Sequence, residues 1–576
     1  MSPNVALLSS FVPAVWDIVP TQRSGRRFGE YTCHLSMRAA QGIEHFVRSQ
    51  FGSLRSTHKE SNHFFPSQGL PGNGAVIPKP FSSSSLPPSL ASGRLATTFL
   101  PGAPVSDGGP VHLRRQHGGA ADHAQSLLPF LSDLSQSGPG SQRKGPRVAV
   151  VGSGISGLSA AWALSRHAQV TLFESGDYFG GHTHTVDVTL EGQTCGVDTG
   201  FLVFNERTYP LLIELFAKLG VETAKSDMSF SVQLPHTGLE WSGSNLDTVF
   251  AQRSNLLRPG FWRMLSDLLR FNRLTTELAE RGAEQALAQP IGDFLDAQRF
   301  SREFRDWYLL PMVACIWSCP TAQMMAFPIS TLIRFCHNHG LLQVANRPQW
   351  HTVRGGARHY VEKLLESIDD KRLNTAVTGI KRMGADGSGG VLLSTRHGSE
   401  HFDSVVLASH SDQSLALLDD ASAQERQLLG AIAYQRNRAV LHTDTTLLPR
   451  RRKAWAAWNY EHGGDAAGPD QSSVCLHYLL NRLQPLPWQQ PVLVSLNPVR
   501  EPAAGQVLGE YDYAHPVFDQ AAVAAQQRLP ALQGQHNTWF CGAWTRYGFH
   551  EDGLLSGLSV AKAWIEDRAH KAAQAR

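Results

Sequence analysis

The chain has 576 residues, 42% of them hydrophobic, with 52 basic against 49 acidic side chains. That length exceeds one ordinary core, so two or more structural units are expected. The near-neutral charge gives no footing for a nucleic-acid surface, and no run of about 18 uncharged apolar residues offers a membrane-spanning helix. Seven cysteines are too few for a disulfide framework in a chain this long. Cys315 and Cys319 stand in the apolar run PMVACIWSCP and read as buried thiols, which favours a reducing compartment.

Residues 1–145 include FFPSQGLPGNGAVIPKPFSSSSLPPSLASGR and LSQSGPGSQRKGP. Ser, Pro and Gly dominate, and too little apolar surface is present to offset the entropy of ordering, so a disordered extension is expected. Short patches such as HAQSLLPFLSDL are expected to form at most a transient helix. The arginines and the shortage of acids leave organelle targeting open.

RVAVVG is a β-branched run ending at Gly152, GSGISG supplies Gly152, Gly154 and Gly157, ISGLSAAWALSRH has helical spacing, and QVTLFE ends in Glu174. In this strand–turn–helix–strand context the glycines form a dinucleotide fingerprint. Gly152 permits the tight turn, Gly154 lets the backbone approach a diphosphate, and Gly157 brings the helix against the strand. The helix start offers unpaired N–H groups and a positive dipole end to phosphates. Glu174 is placed to accept from ribose hydroxyls, and its charge repels a 2′-phosphate, which disfavours NADP.

The fingerprint alone does not choose between NAD and FAD. Glu174 is followed by SGDYFGGH, with Gly180 and Gly181 just before His182. NTWFCGAWTRYGFHEDGLLSGLSVAKAW reads as a strand ending at Gly542, a loop, and a helix opening at Gly553 with Gly557 and Ala561 facing inward. RLNTAVTGIKRM and GVLLSTRHGSEHFDSVVLAS read as hairpin strands and a strand ending at Ala408, while TVRGGARHYVEKLLE sets Gly355 and Gly356 ahead of a helix. In this order the segments resemble the flavin-dependent amine oxidase and phytoene desaturase superfamily. The resemblance implies an α/β fold, with a Rossmann-like FAD-binding domain of the glutathione-reductase type and an inserted α+β substrate domain. It implies FAD held by Gly152, Gly154, Gly157, Glu174, Gly180, Gly181 and His182, with Val377 on the adenine side and Gly542 and Gly553 on the flavin side. Two departures matter. His182 stands where the superfamily has Arg, so the charge offered to phosphate depends on protonation. Ala543 stands where it has Glu or Asp, so a carboxylate contact to the ribityl chain is lost. His182 and His184 have no third ligand nearby, and no metal site is expected.

A closer resemblance covers about residues 146–568. GVDTGFLVFNERTYPLLIELFAKLGVETAKSDMSFSVQL, FAQRSNLLRPGFWRMLSDLLRF and FCGAWTRYGFHEDGLLSG are similar to bacterial NAD/FAD-binding proteins of the amine-oxidase type. They are also similar to the oxidase-like domain fused to plant cyclopropane fatty acid synthases. This implies a link to lipid and a cyclopropane-synthase-like partner enzyme. The expected division is an extension over 1–145, an FAD domain from 146–210, 346–425 and 535–576, and a substrate domain from 211–345 and 426–534.

On the substrate side, PGFWRMLSDLLRFNRLTTELAERG is amphipathic, with Phe261, Leu265, Leu268 and Asn272 along one side beside Met264 and Phe271. It reads either as a packed helix or as a membrane-surface helix. Arg450–Lys453 reads either as a solvated turn or as a contact for anionic head groups or an acidic carrier protein. Trp544, Tyr547, Phe549 and His550 occupy the loop expected against the isoalloxazine, with His550 as proton acceptor and Tyr547 as its catalytic neighbour. The expected reaction is hydride removal from an apolar substrate, fatty-acyl in the first reading, to flavin. Amine oxidation stands second, because the lysine that amine oxidases hold near flavin N5 cannot be located. A non-catalytic FAD-binding accessory protein stands third, suggested by Ala543. The cytoplasm is the expected location, with peripheral membrane contact open.

Overall fold

The computed structural model describes residues 120–134, 145–283, 287, 289–317, 321–343, 347–384, 389–462 and 475–574, all in the unit Gly118–Arg576. Most of the expected N-terminal extension, and Cys319, lie outside the described residues.

In chain order, the nucleotide-binding half uses α1 (Ala120–Asp133), β1 (Arg147–Val151), α2 (Ile155–Leu164), β2 (Gln169–Phe173), α3 (Pro210–Leu219), α4 (Arg358–Leu365), β3 (Asp370–Arg372), β4 (Ser404–Leu407), β5 (Thr538–Phe540) and α5 (His550–Gln574). The strands form one parallel sheet in the order β3-β2-β1-β4-β5. A parallel sheet is covered on both faces, which is why its strands are apolar runs: Val148, Val150, Leu172 and Val406 are fully buried. Strand order reverses between β1 and β4, and such switch points place ligands beyond the carboxyl ends of the strands. Between β3 and β4 the chain makes an antiparallel meander of Val377–Arg382, Val391–Thr395 and Gly398–Phe402.

All ten residues of α2 are buried, because α5 crosses it closely. At Gly553 an added Cβ lies 2.7 Å from Ile155 Cγ2, and at Gly557 it lies 2.2 Å from the Ser156 carbonyl oxygen. Small residues at i and i+4 therefore set the approach of the two backbones. α5 begins at His550, three residues before the expected opening at Gly553.

Helix α1 corrects the expectation of disorder throughout 1–145. Its Leu127 and Leu131, with the following Leu134, are buried in the same core as α2 and α3. The run HAQSLLPFLSDL thus finds an apolar partner elsewhere in the chain, which local composition does not show.

A seven-stranded sheet joins segments on either side of the nucleotide-binding pieces. Its order is Val507–Val517, Ala433–His442, Leu493–Leu496, Cys475–Leu479, Trp458–Glu461, Phe230–Leu234 and Leu239–Ser242. Alternate residues point to opposite faces. Ala439, Leu441, Val494, Leu476, Tyr460, Val232 and Trp241 enter the main core. The other face is polar yet buried, with Ser231, Gln233, Glu240, Asn459, His477 and Ser495. The segment after His442 covers it: Gln233 Nε2 donates to the Leu447 carbonyl at 2.7 Å, and Glu240 accepts from Arg450 N at 3.0 Å.

The helix Pro259–Glu280 buries Phe261, Met264, Phe271, Asn272 and Thr275. Leu265 and Leu268 are only partly buried, so the core stripe is rotated from the one expected. Among the described residues, no helix is long and apolar enough to cross a membrane.

Candidate active site

The turn after β1 lies at the switch point. Gly152 adopts φ +102°, and a Cβ there meets the Ala408 carbonyl at 3.0 Å. At Gly157 a Cβ falls 1.9 Å from the Gly152 oxygen, whereas at Gly154 it meets nothing within 4 Å. One glycine is thus required by packing, while its neighbour faces open space at the start of α2. Gly154 is bridged to Gly180, and a Cβ at Gly181 lies 3.1 Å from Gly154 Cα. The second glycine pair therefore lies directly against the first turn.

Glu174 follows β2, and its carboxylate accepts from Ser153 N at 2.9 Å and Ser153 Oγ at 2.6 Å, with the other oxygen on Gly176 N at 2.9 Å. The carboxylate is aimed back at the glycine turn. Glu174 O accepts from Thr375 N at 2.8 Å, which brings Val377, the first residue of the meander, to the same end of β2.

His182 stands next to Gly181. Its ring lies 5.2 Å from those of Tyr513 and His515 and 6.4 Å from that of His410. Its Nε2 is closed off from solvent and has no hydrogen-bond partner. Burial, with His515 and His410 nearby, holds its pKa well below the ordinary imidazole value. An open glycine turn at a helix start and an orphaned ring nitrogen beside it fit a dinucleotide diphosphate. Phosphate oxygens would supply the partner that the ring nitrogen lacks.

Gly542 lies two residues after β5, and a Cβ there lies 2.2 Å from Trp544 Nε1. The Trp544 indole donates to Ser409 O at 3.1 Å, and Gly542 N donates to Ser556 Oγ at 3.1 Å. Gly553, expected on the flavin side, packs against the start of α2.

His550, expected as proton acceptor, packs against α4 and the loop after Gly181. Its Nε2 pairs with Tyr360 Oη at 2.6 Å and lies 3.4 Å from Thr183 Oγ1. Its ring stacks on Phe201 with centroids 3.8 Å apart. Burial lowers its pKa to about 3, so it is a neutral packed group that ties α5 to α4 and to the loop after Gly181. Burial raises the pKa of Tyr547, which bonds to Arg334. Sequence reasoning missed Thr183, Tyr360, His410, His515 and Glu551. Gly355 and Gly356 ahead of α4 pointed toward Tyr360, and the others had no local signal. Glu551 accepts from Leu211 N and Leu212 N at 2.8 and 3.0 Å and so caps α3.

The Arg450–Lys453 cluster is largely committed to structure. Arg451 pairs with the buried Glu240 at 2.8 Å, Lys453 pairs with Asp247 at 2.8 Å, and the Arg452 guanidinium lies 5.1 Å from the Trp455 ring centre.

A parallel sheet with its glycine turn open at the switch point, closed by a distant C-terminal strand and helix, is a dinucleotide-binding arrangement. The sequence pattern of the family described as flavin containing amine oxidoreductase matches residues 155–465. The chain belongs to that family and is an FAD-dependent oxidoreductase. Among solved structures, the CLA-producing fatty acid isomerase from P. acnes is 16% identical, with 73% of this chain and 99% of that one covered at a TM-score of 0.53. Cyclohexylamine oxidase from Brevibacterium oxydans IH-35A is 16% identical over 74% and 100% at 0.53. Putrescine oxidase bound to putrescine is 15% identical over 73% and 99% at 0.52. At such identities the likeness is one of fold. No curated protein matches the chain significantly.

Proposed function

We propose that the protein removes a hydride from a C–H bond of an apolar, fatty-acyl-type substrate. The observation that carries this reading is the wall behind the closing loop. Phe549 stacks on Phe335 at 4.8 Å, Phe335 stacks on His339 at 3.9 Å, and Trp350 lies 6.4 Å from His339. Burial lowers His339 to about 4, so this aromatic surface carries no charge at neutral pH and excludes water. No lysine is buried among the described residues. FAD supplies the hydride acceptor when bound. The glycine turn, the start of α2 and His182 hold its diphosphate, Glu174 its ribose, and the Gly542 turn the flavin end. The meander between β3 and β4 supports placing the FAD domain in the glutathione-reductase type.

Anaerobic mixing with fatty acids or acyl lipids tests the reading. Bleaching of the oxidised flavin band is expected. Bleaching by amines alone would replace it with amine oxidation, a reading favoured by the two amine oxidase neighbours and by the buried carboxyls of Glu551 and Asp552 beside the loop. Stable flavin with every donor would leave the accessory role. The proposal extends to a cyclopropane-synthase-like partner and to peripheral contact with lipid. Leu246 and Leu257 are 51% and 86% exposed, and the exposed Arg253 and Lys453 both pair with Asp247, next to Leu246.

A further inference from the structure

The buried polar face of the seven-stranded sheet contains a group of side chains that flavin chemistry does not use. Glu461 and Cys475 are directly paired across antiparallel neighbours, and His477 follows two residues on, so the three project from one face. Cys475 and His477 are 0% and Glu461 2% exposed. The Cys475 Sγ to His477 Nε2 distance is 3.5 Å, His477 Nε2 to Glu461 Oε2 is 2.9 Å, and one donor atom from each residue lies within 4.8 Å of the others.

We propose that Glu461, Cys475 and His477 form a zinc site, with a fourth position left to water. Thiolate, imidazole and carboxylate are the three ligand types zinc accepts, with Zn–S about 2.3 Å and Zn–N about 2.0 Å. In a tetrahedron those bonds set the S···N edge at about 3.5 Å, the separation already present between Cys475 and His477. The Glu461 oxygen must retreat by a few tenths of an ångström from Nε2, and it lies within 4.8 Å of Sγ, against a tetrahedral edge of about 3.5 Å.

The surroundings suit a ligand histidine, whose second ring nitrogen is ordinarily held by an outer partner. His477 Nδ1 lies 2.7 Å from Ser495 Oγ, and Ser495 Oγ lies 2.6 Å from His442 Nε2. The far nitrogen of His442 accepts from the Asp444 backbone N–H at 3.1 Å. This chain fixes the plane of the His477 ring and aims Nε2 at Cys475 and Glu461. Arg500 covers the group: its guanidinium lies 3.3 Å from Glu461, with the side chain 51% exposed. It can swing into solvent and give a cation an entry path. On binding, the thiol proton leaves Cys475 and the proton on Nε2 leaves His477, so a divalent cation replaces protons in the buried space.

The test uses tag-free holoprotein exposed to zinc, then passed through gel filtration. Elemental analysis should find a single zinc retained per chain. Zinc-edge X-ray absorption should show a sulfur neighbour at about 2.3 Å. Cys475→Ser and His477→Gln should weaken retention more than tenfold. Ser495→Ala, which leaves all three ligands in place, should weaken it about 10- to 100-fold. Flavin absorbance and near-ultraviolet dichroism monitor folding of each variant. Where a variant fails to fold, the sulfur neighbour in the wild-type spectrum decides. No retained zinc, zinc bound only by nitrogen and oxygen, or equal retention in folded variants would overturn the site.

Discussion

Gly154 and Gly157 are three residues apart and differ in what a side chain would meet. At Gly157 a methyl group collides with the Gly152 carbonyl at 1.9 Å, so Gly157→Ala should destabilise the fold by about 1–3 kcal/mol or more. At Gly154 the space is open, so Gly154→Asp should fold but lose bound flavin, because its charge stands where the diphosphate must lie. Thermal melting and the ratio of flavin to protein absorbance separate the two effects. A Gly154→Asp protein that keeps its full flavin complement would sink the assignment of the turn. These glycines were legible because their spacing is local. The packing of His550 was not, because its partners Thr183 and Tyr360 lie 367 and 190 residues away in sequence.

Elements were legible where one period dominated. The β-branched runs of the parallel sheet are such a case, since both faces are covered. The seven-stranded sheet shows the failure. Its strands come from segments far apart in sequence, and its polar face is buried by contacts such as Gln233 to Leu447 and Glu240 to Arg450 that no local pattern announces. Helix α1 failed in the opposite sense, as an apolar stripe set in low-complexity sequence. Leu131 is fully buried, so Leu131→Ala should cost about 2–5 kcal/mol. A chain starting at residue 145 should melt lower than one starting at 118, and equal melting would show α1 to be dispensable. Elsewhere on the surface, replacing exposed Leu257 with Glu removes an apolar contact and adds a negative charge. Sedimentation with anionic vesicles should fall several-fold for this variant, and undiminished binding would count against lipid contact through this region.

At the scale of the whole molecule, buried titratable groups set opposing pH trends. Burial lowers His339, His442 and His515 to about 4 and His550 to about 3. Their folded values lie below the unfolded value of about 6.5, so they contribute stability that is present above that pH and lost as pH falls through the folded values. Glu551 runs the other way. Burial raises it to about 8, against the two backbone N–H groups of α3 that lower it. Its folded value lies above the unfolded value of about 4.3, so its contribution is present below that pH and is lost as pH rises toward about 8. Glu551→Gln removes this titration while keeping an oxygen that can accept from α3. One of the two capping bonds is lost at every pH, which shifts the variant by a constant offset of about 1 kcal/mol. The informative quantity is therefore the difference in melting temperature between wild type and variant across pH. Wild type should lose ground to Glu551→Gln steadily from pH 5 to pH 8. If wild type instead gains on the variant over that range, the carboxylate is ionised in the fold, and the cap on α3 is a charged one.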